Sequence, residues 1–275
     1  MSGAAFVALI VAVAGCGGSG VDSADVKRCA ELGEGKLRAG SVTVYLAKGT
    51  VPSCGDNTAA TRAFLAAHDA LASVLEPLRP SPVVIVMSDD VDAIETDREA
   101  GAIHLAEHPS RPVDRAAWLH ELSHLASLGP RPKGILGGRL ADALDEGVAD
   151  YYAARAMGSP VVGPRDLSQP PRDAGAAWAA LPMPDARFDP HPLGHAFGAA
   201  LWKRQPEIGD LLVCMRAPAG WGDGDAPRAV LASWVAGCPA RSRVALRSAL
   251  ADWAPAPMLP AEGEAHVEEK AQVVR

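Results

Sequence analysis

The segment that most constrains this chain is His120-Glu121-Leu122-Ser123-His124, in which two histidines stand four residues apart. Residues four apart on an α-helix lie on one face, about one turn from each other, so both imidazoles can reach a single metal ion. Glu121 projects beside them, where a general base acting on a metal-bound water would lie. The spacing therefore predicts a metal site on a helix.

A catalytic zinc site uses three protein ligands and keeps one position open, so a third ligand is needed. Glu146 is the candidate, and Asp150 follows it one helical turn later. An acid at that place can accept a hydrogen bond from the non-ligating nitrogen of a ligand histidine, which fixes the tautomer of the ring. The alternative is a solvated helix with two unrelated histidines, and the added Glu-x-x-x-Asp segment weakens that alternative.

His-Glu-x-x-His followed by Glu-x-x-x-Asp resembles the gluzincin metallopeptidases, the family of thermolysin. The resemblance implies that one zinc ion is held by His120, His124 and Glu146. It also implies that Glu121 is the general base and that Asp150 supports the first histidine. The match is local and covers roughly residues 83–202.

In thermolysin, a histidine in a loop before a helix helps to stabilise the transition state, and two residues here are candidates for that role. His191 and His195 both lie in a segment that resembles a His-x-x-Gly stretch of fungalysin-like relatives. We favour His191, because Pro192 biases it towards extended backbone ahead of a helix that begins near Gly194. His195 would pack against that helix or cap it, and a solvent-exposed loop histidine is the alternative for His191.

Three segments have the apolar or β-branched character of strands: Ser41–Ala47, Pro82–Ser88 and Ala102–Glu107. Pro82–Ser88 is apolar on both faces and is expected at the centre of a sheet. The resemblance implies that Ala102–Ala106 is an edge strand that pairs with an extended peptide substrate. We interpret the nearby His104 and His108 as surface or edge residues without a role in the site.

Helical periodicity and stop signals predict helices at Thr58–Leu78, from Pro112 or Val113 to Leu128, at Asp142–Met157, from Gly194, and at Glu207–Met215, Pro227–Val235 and Ala240–Trp253. A Gly-rich connector, Gly134–Gly138, is expected before the second of the site helices. Tyr151 and Tyr152 are expected to pack. The proline-rich stretch Gly158–Pro192 is typical of a functional loop or a disordered insert, and we interpret it as a wall of the substrate cleft.

These elements predict an α+β fold with a small mixed sheet and the active-site helix, followed by a mainly helical C-terminal half. The resemblance makes this arrangement zincin-like. We assign residues 1–16 to a signal peptide, 17–24 to a flexible tether, 25–253 to the metallopeptidase domain and 254–275 to a disordered tail.

The N-terminus carries an apolar run, Ala4–Ala14, that is too short to span a bilayer. Val13-Ala14-Gly15-Cys16 resembles a bacterial lipoprotein signal, in which Cys16 would be acylated and become the mature N-terminus. No Lys or Arg precedes the apolar run, which departs from that pattern. We therefore expect an exported protein, anchored by lipid in the bacterial cell envelope. A plain secretory signal and a buried N-terminal helix are the alternatives.

Four cysteines remain if Cys16 is lipidated, and an even number in an exported chain suggests disulfides. Four cysteines allow three pairings. We favour the local pairs Cys29–Cys54 and Cys214–Cys238, because each closes a short segment beside the predicted catalytic core. Free buried thiols are the alternative.

The net charge of −7 and the absence of a Lys/Arg run argue against a nucleic-acid partner. We expect a zinc-dependent metallopeptidase that acts on a peptide or protein substrate and meets the membrane only through its lipid anchor. Two alternatives are a lipid-anchored protein of zincin fold that binds a partner without cleaving it, and a metal-free scaffold. The sequence does not indicate the cleavage specificity or the oligomeric state.

Overall fold

The structure is a computed structural model, and it describes residues 36–39, 42–48, 83–88, 91–98, 101–106, 113–129, 134–169, 174–183, 187–216 and 227–255. The chain divides into two compact units, Met1–Ala126 and Ser127–Arg275. Several predicted features lie outside the described residues: the signal peptide, Cys16, the tether, the cysteine pair Cys29–Cys54, the helix Thr58–Leu78 and residues 256–275 of the tail.

The first unit contains a five-stranded mixed sheet with the order β1-β2-β3-β5-β4. Its strands are β1 (Lys36–Ala39), β2 (Val42–Lys48), β3 (Val83–Ser88), β4 (Ile94–Asp97) and β5 (Ala102–Ala106). β2 pairs with β3 and β3 with β5 in parallel, whereas β1–β2 and β4–β5 are antiparallel. The prediction that the apolar strand ending at Ser88 is central is confirmed.

The expected edge position of Ala102–Ala106 is wrong, because β4 pairs with its outer side and forms the edge. β4 has the sequence Ile-Glu-Thr-Asp, which is too short and too polar to be recognised as a strand. Since β5 is internal, His104 is buried rather than at the surface, and its Nε2 lies 3.8 Å from Oδ2 of Asp97. His108 lies outside the described residues.

Helix α1 (Arg115–Ala126) carries the His-Glu-x-x-His segment and packs against β4 and β5. The carboxylate of Asp114 accepts a hydrogen bond from the backbone N–H of Ala117 at 2.8 Å, which caps the helix start. Trp118, Leu119 and Leu122 are buried and hold the helix in place. The helix is slightly shorter than the predicted one at both ends.

The second unit is mainly helical, with one short hairpin, β6 (Val161–Val162) and β7 (Arg165–Asp166). Its helices are α2 (Ile135–Met157), α3 (Ala174–Ala180), α4 (His191–Arg204), α5 (Ile208–Arg216), α6 (Pro227–Gly237) and α7 (Ala240–Trp253). The hairpin and α3 lie within the stretch Gly158–Pro192 that we expect to be irregular. Together the two units give the predicted α+β class. Among the described residues, no helix combines the length and the apolar character needed to cross a membrane.

Helix α2 begins at Ile135, seven residues before the predicted start at Asp142. The expected connector Gly134–Gly138 therefore lies mostly inside the helix. Leu140, Ala141, Ala143 and Leu144 are buried, and this packing offsets the low helix propensity of the glycines. The helix ends at Gly158 as predicted, since that glycine adopts the left-handed conformation with φ of 65°.

Helix α2 packs most extensively against α4, and three glycines allow a close approach between the two helices. A β-carbon on Gly147 would lie 2.6 Å from the carbonyl oxygen of Gly194. A β-carbon on Gly194 would overlap the β-carbon of Glu146, and one on Gly198 would lie 3.1 Å from the carbonyl oxygen of Gly147. The backbones therefore meet at the level of Glu146.

Two further links hold the helices of this unit together. The hydroxyls of Tyr151 and Tyr152, both wholly buried, donate hydrogen bonds of 2.8 Å to the carbonyls of Pro206 and Ile208. A disulfide joins Cys214 of α5 to Cys238, the residue after α6, as predicted.

Candidate metal centre

Helix α1 places the two histidines of the motif together. Nε2 of His120 lies 3.1 Å from Nε2 of His124, and the two rings meet edge to face. Both residues are buried. Zinc–nitrogen bonds of about 2.0–2.1 Å in tetrahedral geometry put two ligand nitrogens roughly 3.3 Å apart. The histidine pair therefore has the spacing of two ligands to one ion.

Glu146 of α2 completes a group of three donors. One ligand atom each from His120, His124 and Glu146 lies within 4.8 Å of the other two, so the group could hold a metal ion. Two imidazole nitrogens and one carboxylate oxygen form a donor set that suits zinc, as well as other transition metals. The residues thus fit the predicted cofactor.

Glu121 is held by a threonine that the sequence did not suggest. The hydroxyl of Thr96, on the edge strand β4, lies 2.8 Å from Oε2 of Glu121 and 3.0 Å from its carbonyl oxygen. A hydroxyl that donates to the carboxylate restricts where the carboxylate points. Thr96 could not be found from the sequence, because β4 itself was not recognised.

An arginine at the end of β4 contacts the second histidine. Nη2 of Arg98 lies 2.8 Å from Nδ1 of His124. A guanidinium has only donors, so Nδ1 of His124 accepts this hydrogen bond. No motif in the sequence marks Arg98.

Asp150 is wholly buried and has two partners in the second unit. Its Oδ1 accepts a hydrogen bond of 2.6 Å from Nη1 of Arg165, which lies on β7. Its Oδ2 lies 3.3 Å from Nδ1 of His195. The predicted support of a ligand histidine by Asp150 stays a prediction. Arg165 was missed because it belongs to a stretch that has no periodicity in the sequence.

His191 is the first residue of α4, so the prediction that it lies in a loop before the helix is wrong. Pro190 precedes the helix, and Pro192 falls in its first turn, where a proline needs no N–H partner. The backbone N–H of Gly194 donates to the carbonyl of Pro190 at 2.8 Å, which closes that turn. The helix therefore starts three residues earlier than expected.

Despite this, His191 lies beside the predicted third ligand. Its Nε2 is 3.6 Å from Oε2 of Glu146, and its Nδ1 is 2.7 Å from Oδ1 of Asp189. Partial burial raises the pKa of Asp189, but hydrogen bonds from the ring and the backbone N–H of His191 outweigh it and hold that pKa below its usual value. Asp189 accepts the backbone N–H two residues on, as in an Asx turn, and this local pattern could have pointed to it.

The two candidate histidines thus have different surroundings. His191 is half exposed and faces Glu146, whereas the side chain of His195 is 12% exposed and lies against Asp150.

Comparison of the chain with protein-family models, with curated proteins and with solved structures finds no match.

Proposed function

We propose that the protein is a zinc-dependent metallopeptidase of zincin-like fold. The observation that supports this most directly is the group formed by His120, His124 and Glu146, whose donor atoms lie within 4.8 Å of one another. Glu121 belongs to the same helix, one residue after the first histidine, which is the place for a general base. A protein that only binds a partner has no need of a base there.

His120, His124 and Glu146 would hold the zinc ion, which when bound would supply a Lewis acid for the scissile carbonyl and for a water molecule. The carboxylate of Glu121 takes a proton from the attacking water and passes it to the leaving amine. Thr96, at 2.8 Å, keeps that carboxylate in a fixed orientation. His191 stands next to Glu146 and donates a hydrogen bond to the oxygen on which negative charge develops.

The substrate is a peptide or a protein, and the enzyme acts outside the cytoplasm. Lipidation of Cys16 anchors it in the bacterial cell envelope, and Cys16→Ser would release it from the membrane fraction or leave the signal unprocessed. An unchanged distribution with the same mature N-terminus would argue against the anchor.

The metal is tested first, by measuring the zinc content and the zinc affinity of the purified protein. We expect one zinc ion per chain, and a sharp loss of zinc in Glu146→Ala with the circular dichroism spectrum retained. Glu207→Ala is the matched control, because Glu207 is an exposed glutamate of the same unit outside the ligand group. Full zinc occupancy in Glu146→Ala would remove Glu146 from the ligands.

Hydrolysis is tested separately with a quenched-fluorescence peptide library. Glu121→Gln keeps the shape of the side chain but cannot take a proton, so kcat/KM should fall about 10²–10⁴-fold with zinc retained. A wild-type protein that binds zinc and cleaves no peptide would favour the alternative function, a lipid-anchored binding protein. A protein that binds no zinc would overturn the proposal.

A further inference from the structure

The contact between Arg98 and His124 dictates which nitrogen of His124 carries a hydrogen. The guanidinium donates to Nδ1 at 2.8 Å and can accept nothing in return. A neutral imidazole with Nδ1 as acceptor has its single N–H on Nε2. That N–H points at Nε2 of His120, 3.1 Å away, which accepts it. Arg98, His124 and His120 therefore form a chain of hydrogen bonds in one direction.

A histidine that binds a metal needs the opposite arrangement. It offers the lone pair of one nitrogen to the ion and donates its other N–H to an acceptor, such as a carboxylate or a carbonyl. If Nε2 of His124 binds the ion beside His120, the N–H must lie on Nδ1, where it would face the N–H of Arg98. Two donors cannot share a hydrogen bond, and the cationic guanidinium would also stand close to the cation. The contact with Arg98 and metal binding through Nε2 exclude each other.

We propose that Arg98 competes with the metal for His124. In the metal-free protein Arg98 holds His124 in the tautomer that cannot bind through Nε2, and the site loads when the side chain of Arg98 moves away. This regulation rests on the proposed function, because it concerns the same three ligands. Its consequence is a metal affinity below that of a site in which an acceptor supports His124.

The test is the zinc dissociation constant of four variants, measured by competition with a chromogenic chelator. Arg98→Ala removes the competitor, and Arg98→Gln replaces it with a side chain whose oxygen can accept the Nδ1–H. Both should bind zinc about 10- to 100-fold more tightly than the wild type. Arg98→Lys keeps a donor-only cation and should stay close to the wild type. Circular dichroism and thermal unfolding verify that each variant is folded.

Arg115→Gln is the matched control, because Arg115 is exposed on the same unit and its loss changes the net charge equally. Its zinc affinity should stay within about threefold of the wild type, since solvent and salt screen an exposed charge. Equal gains in Arg98→Ala and Arg115→Gln would mean a general charge effect and would overturn the proposal. An affinity of Arg98→Ala equal to or weaker than that of the wild type would overturn it as well.

The tautomer of His124 gives a readout that needs no metal. Ring ¹⁵N chemical shifts, assigned with a His124→Gln variant, should report the Nε2–H form in the metal-free wild type and the Nδ1–H form after zinc is added. An Nδ1–H form in the metal-free protein would contradict the competition.

The failure of this proposal can be told from the failure of the proposed function. If the wild type binds zinc and His124→Gln does not, an unchanged zinc affinity of Arg98→Ala refutes the competition alone. If neither wild type nor Arg98→Ala binds zinc, both proposals fail.

Discussion

At the scale of single residues, His191 and His195 show how one helical turn separates two roles. His191 faces Glu146 from the exposed start of α4, within 3.6 Å, and Asp189 orients its ring. His195 lies one turn further on, at 3.3 Å from the buried carboxylate of Asp150. The first position suits a donor to the substrate, and the second suits a structural hydrogen bond.

We therefore expect His191→Ala to lower kcat/KM by about 10²–10³-fold with zinc retained, the effect of removing one donor to a developing oxyanion. His195→Ala should cost far less in rate and about 1–3 kcal/mol in the free energy of unfolding, because it leaves a buried carboxylate with one partner fewer. Steady-state kinetics and urea denaturation of both variants measure the two effects. A larger loss of rate in His195→Ala would reverse the assignment, and no loss in either would remove both from the reaction.

The partners of the site residues are the part that the sequence does not reveal. The spacing of His120 and His124 predicted a metal-binding pair, because helical geometry alone brings them together. Glu146 was the candidate third ligand that the resemblance implied, and it belongs to the group. Arg98 and Arg165 lie 26 and 15 residues from the side chains that they contact. Sequence separations of this size are too long for a contact within one helix or strand. Only tertiary structure therefore brings these pairs together.

At the scale of elements, the close contact of α2 and α4 positions Glu146. Gly194→Ala would place a methyl group against the β-carbon of Glu146 and 3.1 Å from the carbonyl oxygen of Ala143. Overpacking of this kind costs about 1–3 kcal/mol, and here it pushes on the predicted ligand itself. We expect Gly194→Ala to lower both the free energy of unfolding and the zinc affinity.

Gly138 of helix α2, which packs against α4, provides the control. A β-carbon at Gly138 meets nothing within 4 Å, so Gly138→Ala should raise the free energy of unfolding by about 0.5–1 kcal/mol through its better helix propensity. Its zinc affinity should not change. Guanidinium denaturation and zinc titration of the two variants would test this contrast. Equal stability of Gly194→Ala and the wild type would contradict the close packing.

The elements that the sequence predicted best are those with long, regular periodicity. Helix α7 has both of its predicted ends, Ala240 and Trp253, and α2 ends at Gly158 as expected. The predictions that were wrong depend on tertiary packing. β4 is a polar four-residue segment that becomes a strand only by pairing with β5, and the start of α2 runs through glycines that burial keeps helical.

At the scale of the whole molecule, the α+β class followed from the order of the predicted segments, with all three strands before the motif helix and only helices after it. The zincin-like fold, the peptidase activity and the lipid anchor remain proposals, because they depend on chemistry at the site and on residues 1–35, which lie outside the described part of the chain. Cleavage specificity depends on side chains brought together from several elements, and no spacing in a sequence encodes that.

The buried tyrosine pair of α2 has a consequence for the behaviour of the protein in alkali. Burial raises the pKa of Tyr151 to about 12 and holds that of Tyr152 well above its ordinary value of 10, although Arg155 and Arg216 partly oppose these shifts. A phenol whose pKa is raised by folding keeps its proton in the folded state above pH 10, where the unfolded chain loses it. The resulting stabilisation is complete below about pH 10 and disappears as the pH rises towards 12.

For Tyr151 alone the loss is about 2 kcal/mol by pH 12, and Tyr152 adds to it. The ultraviolet absorbance of these two phenolates should therefore appear together with the loss of helical circular dichroism, so that ionisation reports unfolding. Tyr151→Phe, which cannot ionise, should show a shallower decline of stability over the same pH range. Phenolate absorbance near pH 10 from both residues, with the helices intact, would mean that water reaches them in the folded protein. When ionisation and unfolding coincide, as we expect, alkali denatures this protein through the two hydroxyl groups that hold α2 to Pro206 and Ile208.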